Sequence, residues 1–286
     1  MGVPGSDTPL GFRAYASRGN VFYVDSGHPD TNDNNDGTDP NAPLRTITEA
    51  LANCTANQED YVIVQQFSNA LETWPIVMTK SKVHLMPNMY ALGVGRTITP
   101  PADTAGLYIT GDKVEVAGFE IGGGASHGCI EFPTGAQSWG AHIHHNRFAW
   151  MTAAQDGIRM TGAVDKVQFL IHDNEFNDKI TRDGIRIEQN ATRSEIWNNV
   201  FRYVGGVGIN LVTLCTDIYA IHDNIFRVDG AVQGDAISCN VNSLGCMFWG
   251  NQAMHLGAAP AQNPYIDLGA NHWGVNWSGD AVTYPV

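Results

Sequence analysis

His142-Ile-His-His-Asn-Arg-Phe148, Leu170-Ile-His-Asp-Asn-Glu-Phe176, Glu195-Ile-Trp-Asn-Asn-Val-Phe201 and Ala220-Ile-His-Asp-Asn-Ile-Phe226 are four copies of one phrase, x-Ile-[His/Trp]-x-Asn-x-Phe. Met247-Phe-Trp-Gly-Asn-Gln-Ala253 is a weaker fifth. The asparagines of these copies, 146, 174, 199, 224 and 251, are separated by 28, 25, 25 and 27 residues. A second phrase lies between the copies, a small residue followed by Ile: Cys129-Ile130, Gly157-Ile158, Gly184-Ile185, Gly208-Ile209 and Ala236-Ile237. Two residues beyond each of these isoleucines comes another apolar side chain, Phe132, Met160, Ile187, Leu211 and Cys239. That is the period-two alternation of a half-buried strand; a helix would need apolar residues three and four apart.

Short strands that recur at a near-constant period with the same residue type in the same place predict a parallel β-solenoid, each coil stacked about 4.8 Å from the last. Ile143, Ile171, Ile196 and Ile221 would then fill the lumen with Phe148, Phe176, Phe201 and Phe226. The asparagines would stand in one column at a bend, where they tolerate left-handed backbone and can bond to one another. The small residues at 129, 157, 184, 208 and 236 would fit a tight corner.

Composition agrees. The 286 residues include 31 Gly and 13 Pro, a turn-rich mixture, and 43% apolar residues, enough for a sizeable core. With 16 Lys+Arg against 29 Asp+Glu the chain carries a formal charge of −13, which would repel nucleic-acid phosphates and anionic lipid. No run approaches the roughly 18 apolar residues of a membrane span, and Met1 to Asn20 lacks the basic start and apolar stretch of a signal peptide. Cys54, Cys129, Cys215, Cys239 and Cys246 form no CxxC pair. They are expected to be unpaired thiols, with Cys239 buried, in a protein assembled in a reducing cytoplasm.

These repeats resemble those of right-handed parallel β-helix proteins of the pectin-lyase-like superfamily. The amino-terminal run is similar too: Phe22-Tyr-Val-Asp-Ser-Gly27, an Asp/Asn/Gly loop, then Asn41-Ala-Pro-Leu-Arg-Thr-Ile-Thr-Glu-Ala-Leu51, with Asn271-His-Trp-Gly274 resembling the family's exit. Pro43 suits a helix start, and Leu44, Ile47 and Leu51 make an apolar stripe. The expected fold is therefore all-β, a single-stranded right-handed parallel β-helix with a short amino-terminal capping helix. Residues 1–20 are expected as an extended arm, 21–58 as the opening strand, loop and capping helix, 59–256 as coils and 257–286 as a cap or tail.

Within that family, the resemblance implies that lyases carry acidic calcium ligands and a basic residue along one sheet, and hydrolases a cluster of aspartates. The best match is Asp156-Gly-Ile-Arg159 with Asp183-Gly-Ile-Arg186. On adjacent coils the two aspartates would lie about 5 Å apart, within the separation used by retaining glycosidases and suited to Ca²⁺. A corner neutralised by its own arginines requires fewer coincidences. Asp235 continues the column, Val207 interrupts it, and no catalytic residue or metal is expected on the main reading; Asp156, Asp183, Arg159, Arg186 and possible Ca²⁺ belong to the enzyme alternative.

His144, His172, Trp197, His222 and Trp249 make an outward column that could be a subunit contact or a glycan platform. Zinc is not expected there, because no carboxylate or thiolate ladder joins the histidines. Asn32-Asp-Asn-Asn-Asp-Gly37 opens like a calcium loop, but Pro43 stands where Glu is required. Between Arg147 and Arg202 eight basic residues face eight acidic ones, whereas Val228 to Val286 holds four aspartates and no Lys or Arg. The incomplete acidic column, the unpaired thiols and the amino-terminal arm lead to the expectation of a non-catalytic virion protein. It would be a capsid-decoration or tail spike/fibre component, assembled in the host cytoplasm as a homo-oligomer, a trimer, with other virion proteins and without nucleic acid or membrane. The alternative is an extracellular polysaccharide lyase or glycoside hydrolase acting on a glycan.

Overall fold

The computed structural model describes residues 19–88, 96–135, 138–149, 152–161, 166–188, 191–212, 220–228, 235–240, 244–255, 264–279, 281–283 and 285. Among these residues the chain winds through three sheets of ten, nine and eight strands. A single coil shows the rotation: His142–His144 lies in the first sheet, Arg147–Phe148 in the second and Asp156–Met160 in the third. Leu170–His172 then returns to the first sheet beside His142–His144. The pairings within the three sheets are parallel except one, the antiparallel contact of Ala281–Thr283 with Asn276–Ser278. This is the expected parallel β-helix. Residues 1–18, the expected arm, lie outside the described residues, and no described helix is long and apolar enough to cross a membrane.

Register explains the residue choices. Ile143, Ile171, Ile196 and Ile221 pair in sequence and are fully buried, and Phe248 takes the next rung. In the second sheet the rings of Phe148, Phe176, Phe201 and Phe226 stack with centroids 4.7, 4.5 and 4.7 Å apart. The Phe column also accounts for the glycines. A Cβ on Gly184 would lie 2.6 Å from both the Phe201 ring and the Gly208 carbonyl oxygen, so any larger residue would overpack the lumen.

The asparagine column forms as expected and is longer by one member. From Asn174 onward each side-chain oxygen accepts from the backbone N–H of the asparagine one coil earlier, from Asn146→Asn174 (2.9 Å) through Asn251→Asn276 (3.0 Å). Each side-chain amide also donates to the next oxygen in the column, and all six residues are buried. Left-handed backbone falls one residue earlier than expected, on His145, Asp173, Asn198 and Asp223, with φ of 54 to 55°. The asparagine itself is the strut that satisfies the amides of that bend.

The amino-terminal helix spans Ile47–Asn53, not the stretch from Pro43. Thr46 caps it, accepting from the Glu49 N–H at 3.2 Å, while Leu44 bridges to Val24 beneath. Tyr265–Asp267, Ala270–Trp273 and Asn276–Ser278 each extend one of the three sheets, so regular coils continue beyond residue 256. Cys54, Cys129, Cys239 and Cys246 are buried thiols; burial pushes Cys54 up to about 12. Cys215 lies outside the described residues.

Candidate functional site

The third sheet brings together the acidic and basic residues singled out in the sequence. Arg159 pairs with Arg186 in register, and the Asp183 N–H donates to Asp156 Oδ1 at 3.2 Å. Their partners differ from the expected ones. Asp156, fully buried, is gripped by Arg182 through Nε (2.9 Å) and Nη2, while Arg159 Nε stands 3.9 Å away. Asp183 accepts from Arg186 Nη1 (2.6 Å), Asn210 Nδ2 (3.0 Å) and the Val207 N–H (2.9 Å). Arg159 and Arg186 converge on Glu188, at 3.3 and 2.5 Å. Burial raises Asp156 above the usual carboxylate range against the pull of Arg182. Against its own burial, Glu188 is held low by Arg186 and Arg159. All four aspartate oxygens already accept hydrogen bonds, so a calcium ion here would have to displace guanidinium groups.

The outward column of the first sheet is continuous. His172 stacks on Trp197 at 4.1 Å and His222 on Trp249 at 4.4 Å, with His144, His172 and Trp197, His222 as the wider steps. The residues beside it were not singled out from the sequence. His142 and Glu115 are paired neighbours on adjacent strands, and both face outward with the column because they stand two residues from His144 and Ala117. Glu115 Oε1 lies 2.7 Å from His144 Nε2 and its Oε2 lies 2.5 Å from His84 Nδ1. A carboxylate therefore does join the histidines, contrary to the premise that excluded zinc. Burial, then the charge of His144, pushes His142 down to about 4.

The corner between the first and second sheets opens into a cavity of about 640 Å³. His145, Asp173 and Asn198, the residues in left-handed conformation, line one bank, and Arg147, Glu175 and Arg202 the other. Arg147 Nε (3.2 Å) and Arg202 Nε both contact Glu175, so two guanidiniums share one carboxylate, and with Asp173 the cavity lining carries two basic and two acidic side chains. Asp173 Oδ2 lies 2.7 Å from His172 Nδ1, and Oδ1 accepts from Asn198 Nδ2. Opposing its partial burial, His172 and Asn198 hold Asp173 below its ordinary value, so it is ionised and His172 carries its proton on Nδ1. His144 Nε2 faces Glu115 at 2.7 Å, and its Nδ1 lies 2.8 Å from His145 Nδ1. The repeated phrase contains the corner residues, but their variable position x carries no common chemistry, and this hid the groove.

A family model described as a protein of unknown function, DUF1565, matches residues 30–244. The chain belongs to the DUF1565 family. No curated protein sequence matches this DUF1565 member. Among solved structures it is similar to an alginate lyase from Paenibacillus sp. str. FPU-7, with 14% identity, a TM-score of 0.48, and coverage of 82% of this chain and 95% of that one. The likeness is one of fold. The expectation of a non-catalytic virion component finds no support in these comparisons, where the similar solved structure is described as an alginate lyase, and it is given up. The carboxylates of the third sheet are saturated by their partners, whereas the polar corner groove is built from residues at variable positions of the repeated phrase.

Proposed function

We propose that this protein is a carbohydrate-active enzyme, a polysaccharide lyase that cleaves a uronate-containing host or extracellular glycan in the corner groove. The observation that carries the reading is the pair of guanidiniums, Arg147 and Arg202, sharing one carboxylate beside the imidazole of His145. In a chain of net charge −13, neighbouring guanidiniums beside open space are what an anionic polymer requires. The guanidiniums would bind the uronate carboxylate and stabilise charge building on it as the C5 proton leaves. His145 takes that proton, the C5–H electron pair becomes the C4=C5 double bond, the C4–O bond breaks, and water protonates the departing oxygen. The stacked rings of Trp197, His222 and Trp249 on the adjoining first sheet would serve as a sugar platform.

Hydrolysis is less well supported. A glycosidase needs one carboxyl held protonated, yet Asp173 is held below its ordinary value and Glu175 is shared between two arginines. The test is incubation of the purified protein with a panel of polyuronates and neutral glycans. Growth of the ultraviolet absorbance of a conjugated C4=C5 uronate, abolished in Arg147→Ala/Arg202→Ala, is expected. Reducing ends without that absorbance would replace the lyase by a hydrolase, and no cleavage of any polymer would overturn the enzyme reading.

A further inference from the structure

We infer that His142, His144 and His172 form a binding site for a divalent transition ion of the zinc type on the outer face of the first sheet. One nitrogen from each ring lies within 4.8 Å of the others. His142 and His144 are alternate residues of one strand, and His172 stands directly beside His144 on the next. Parallel register thus converts a spacing of two and a spacing of 28 residues into a single triangle of imidazoles. Three imidazoles leaving a fourth position for water or an exogenous ligand is the donor set that suits zinc, and also nickel and copper.

The arrangement of protons supports this assignment. Nε2 of His142 lies 2.6 Å from Nε2 of His172. Two ring nitrogens at that distance cannot both carry protons, and at least one lone pair faces the other ring. His172 Nδ1 is already committed to Asp173, at 2.7 Å, which makes its Nε2 the lone-pair atom. Tetrahedral zinc at about 2.0–2.1 Å from each nitrogen separates its ligand atoms by about 3.3 Å, so binding requires the two rings to part by less than 1 Å.

The surroundings are those of a ligand set held in place. Asp173 orients His172, and Glu115 lies 2.7 Å from His144 Nε2 and 3.8 Å from His142 Nδ1. Carboxylates that fix the tautomer and raise the basicity of an imidazole commonly support metal-bound histidines. Glu115 is itself anchored by His84, which in turn reaches Glu59 at 3.1 Å. His144 is 9% exposed at its side chain and His142 33%, so an ion would be reached from solvent across His142 while His144 remains its floor. The site is separate from the guanidinium pair of the groove, and a His144 nitrogen given to the ion would have to release Glu115 or His145, which face its two nitrogens.

The deciding experiment is titration of the full chain, stripped with chelator and dialysed, with Zn²⁺ by calorimetry and with Co²⁺ by visible absorption. One Zn²⁺ per chain at micromolar or tighter affinity is expected, together with Co²⁺ bands in the intensity range of four- or five-coordinate sites. His142→Ala and His172→Ala should each weaken binding by at least about 100-fold, more than the 10–100-fold typical of losing an orienting group such as Glu115. His222→Ala, on the same column beyond Trp197, should leave affinity within about twofold. Circular dichroism reports whether the variants fold. If they do not, the wild-type Co²⁺ spectrum decides alone. Absence of saturable binding, a purely octahedral Co²⁺ spectrum, or unchanged affinity in both folded His→Ala variants would overturn the site.

Discussion

The third sheet and the corner groove both assemble arginines and carboxylates across adjacent coils, yet they differ in what is left over. Around Asp156 and Asp183 each carboxylate oxygen meets a guanidinium, an amide or a backbone N–H, and the aspartates are sealed from water. At the corner, two guanidiniums share the single carboxylate of Glu175, and the groups border a cavity of about 640 Å³. Charges sealed from water neutralise one another and hold coils together. Charges beside open space retain binding capacity. Charge pairing alone therefore does not mark a functional site; access to open space does.

The comparison breaks first if the third-sheet network is not the more costly to disturb. Asp183→Ala leaves Arg186 with Glu188 alone and the Val207 N–H without an acceptor. A loss of about 3–5 kcal/mol is expected, since removing one member of a buried pair strands the other. Urea denaturation would measure it, and cleavage per folded molecule should stay unchanged. A similar loss at Arg202→Ala would erase the distinction between the two regions.

A smaller effect is expected in the asparagine column. Asn199→Ala removes the acceptor for the Asn174 N–H and the donor to the Ile171 and Trp197 carbonyls, all within the lumen wall. The expected cost is about 1–3 kcal/mol, the penalty for stranded buried polar groups. Amide exchange should quicken first at coils 174 and 224, the neighbours on either side.

Acid titration sharpens the role of Glu188. Its folded pKa lies below the ordinary value because Arg186 and Arg159 outweigh burial. A depressed carboxylate contributes stability that is present above the unfolded value and is lost as pH falls through the folded one. The stability difference between wild type and Glu188→Gln should therefore be constant from neutral pH down to about 5 and vanish at lower pH. A difference that grows on acidification would show that the arginines do not stabilise the charged form.

The smallest expected stability effect belongs to the groove. Glu175→Gln should change stability by no more than about 1 kcal/mol, as for partly exposed ion pairs. Releasing both arginines should at the same time tighten binding of a polyuronate in a fluorescence or calorimetric titration. Weaker binding would show that Glu175, not the arginines, faces the polymer.

Much of the inner architecture was legible in the sequence, and for one reason. Residues that point inward meet the same residue of the next coil, so packing selects the same type again and again, as in the Ile143 and Phe148 columns and the asparagine struts. The outward His/Trp column was legible on the same grounds. The sixth asparagine, Asn276, escaped notice because Val275-Asn276-Trp277 retains nothing else of the repeated phrase. Helix onset was misplaced at Pro43 because Leu44, which completes the apolar stripe, packs as a bridge to Val24.

The sequence by itself determined the coil, its period, its lumen and the alternation of inner and outer faces, because burial and the strand period act at every repeat. Only the tertiary structure decided which outward side chains become neighbours. Arg182 reaches Asp156 across 26 residues, Glu115 reaches His144 across 29, and Arg202 meets the same carboxylate as Arg147. No repeat encodes these meetings. They depend on the register of adjacent coils, on left-handed corners that turn His145 and Asp173 toward one groove, and on the reach of long side chains. All three become fixed when the coils stack.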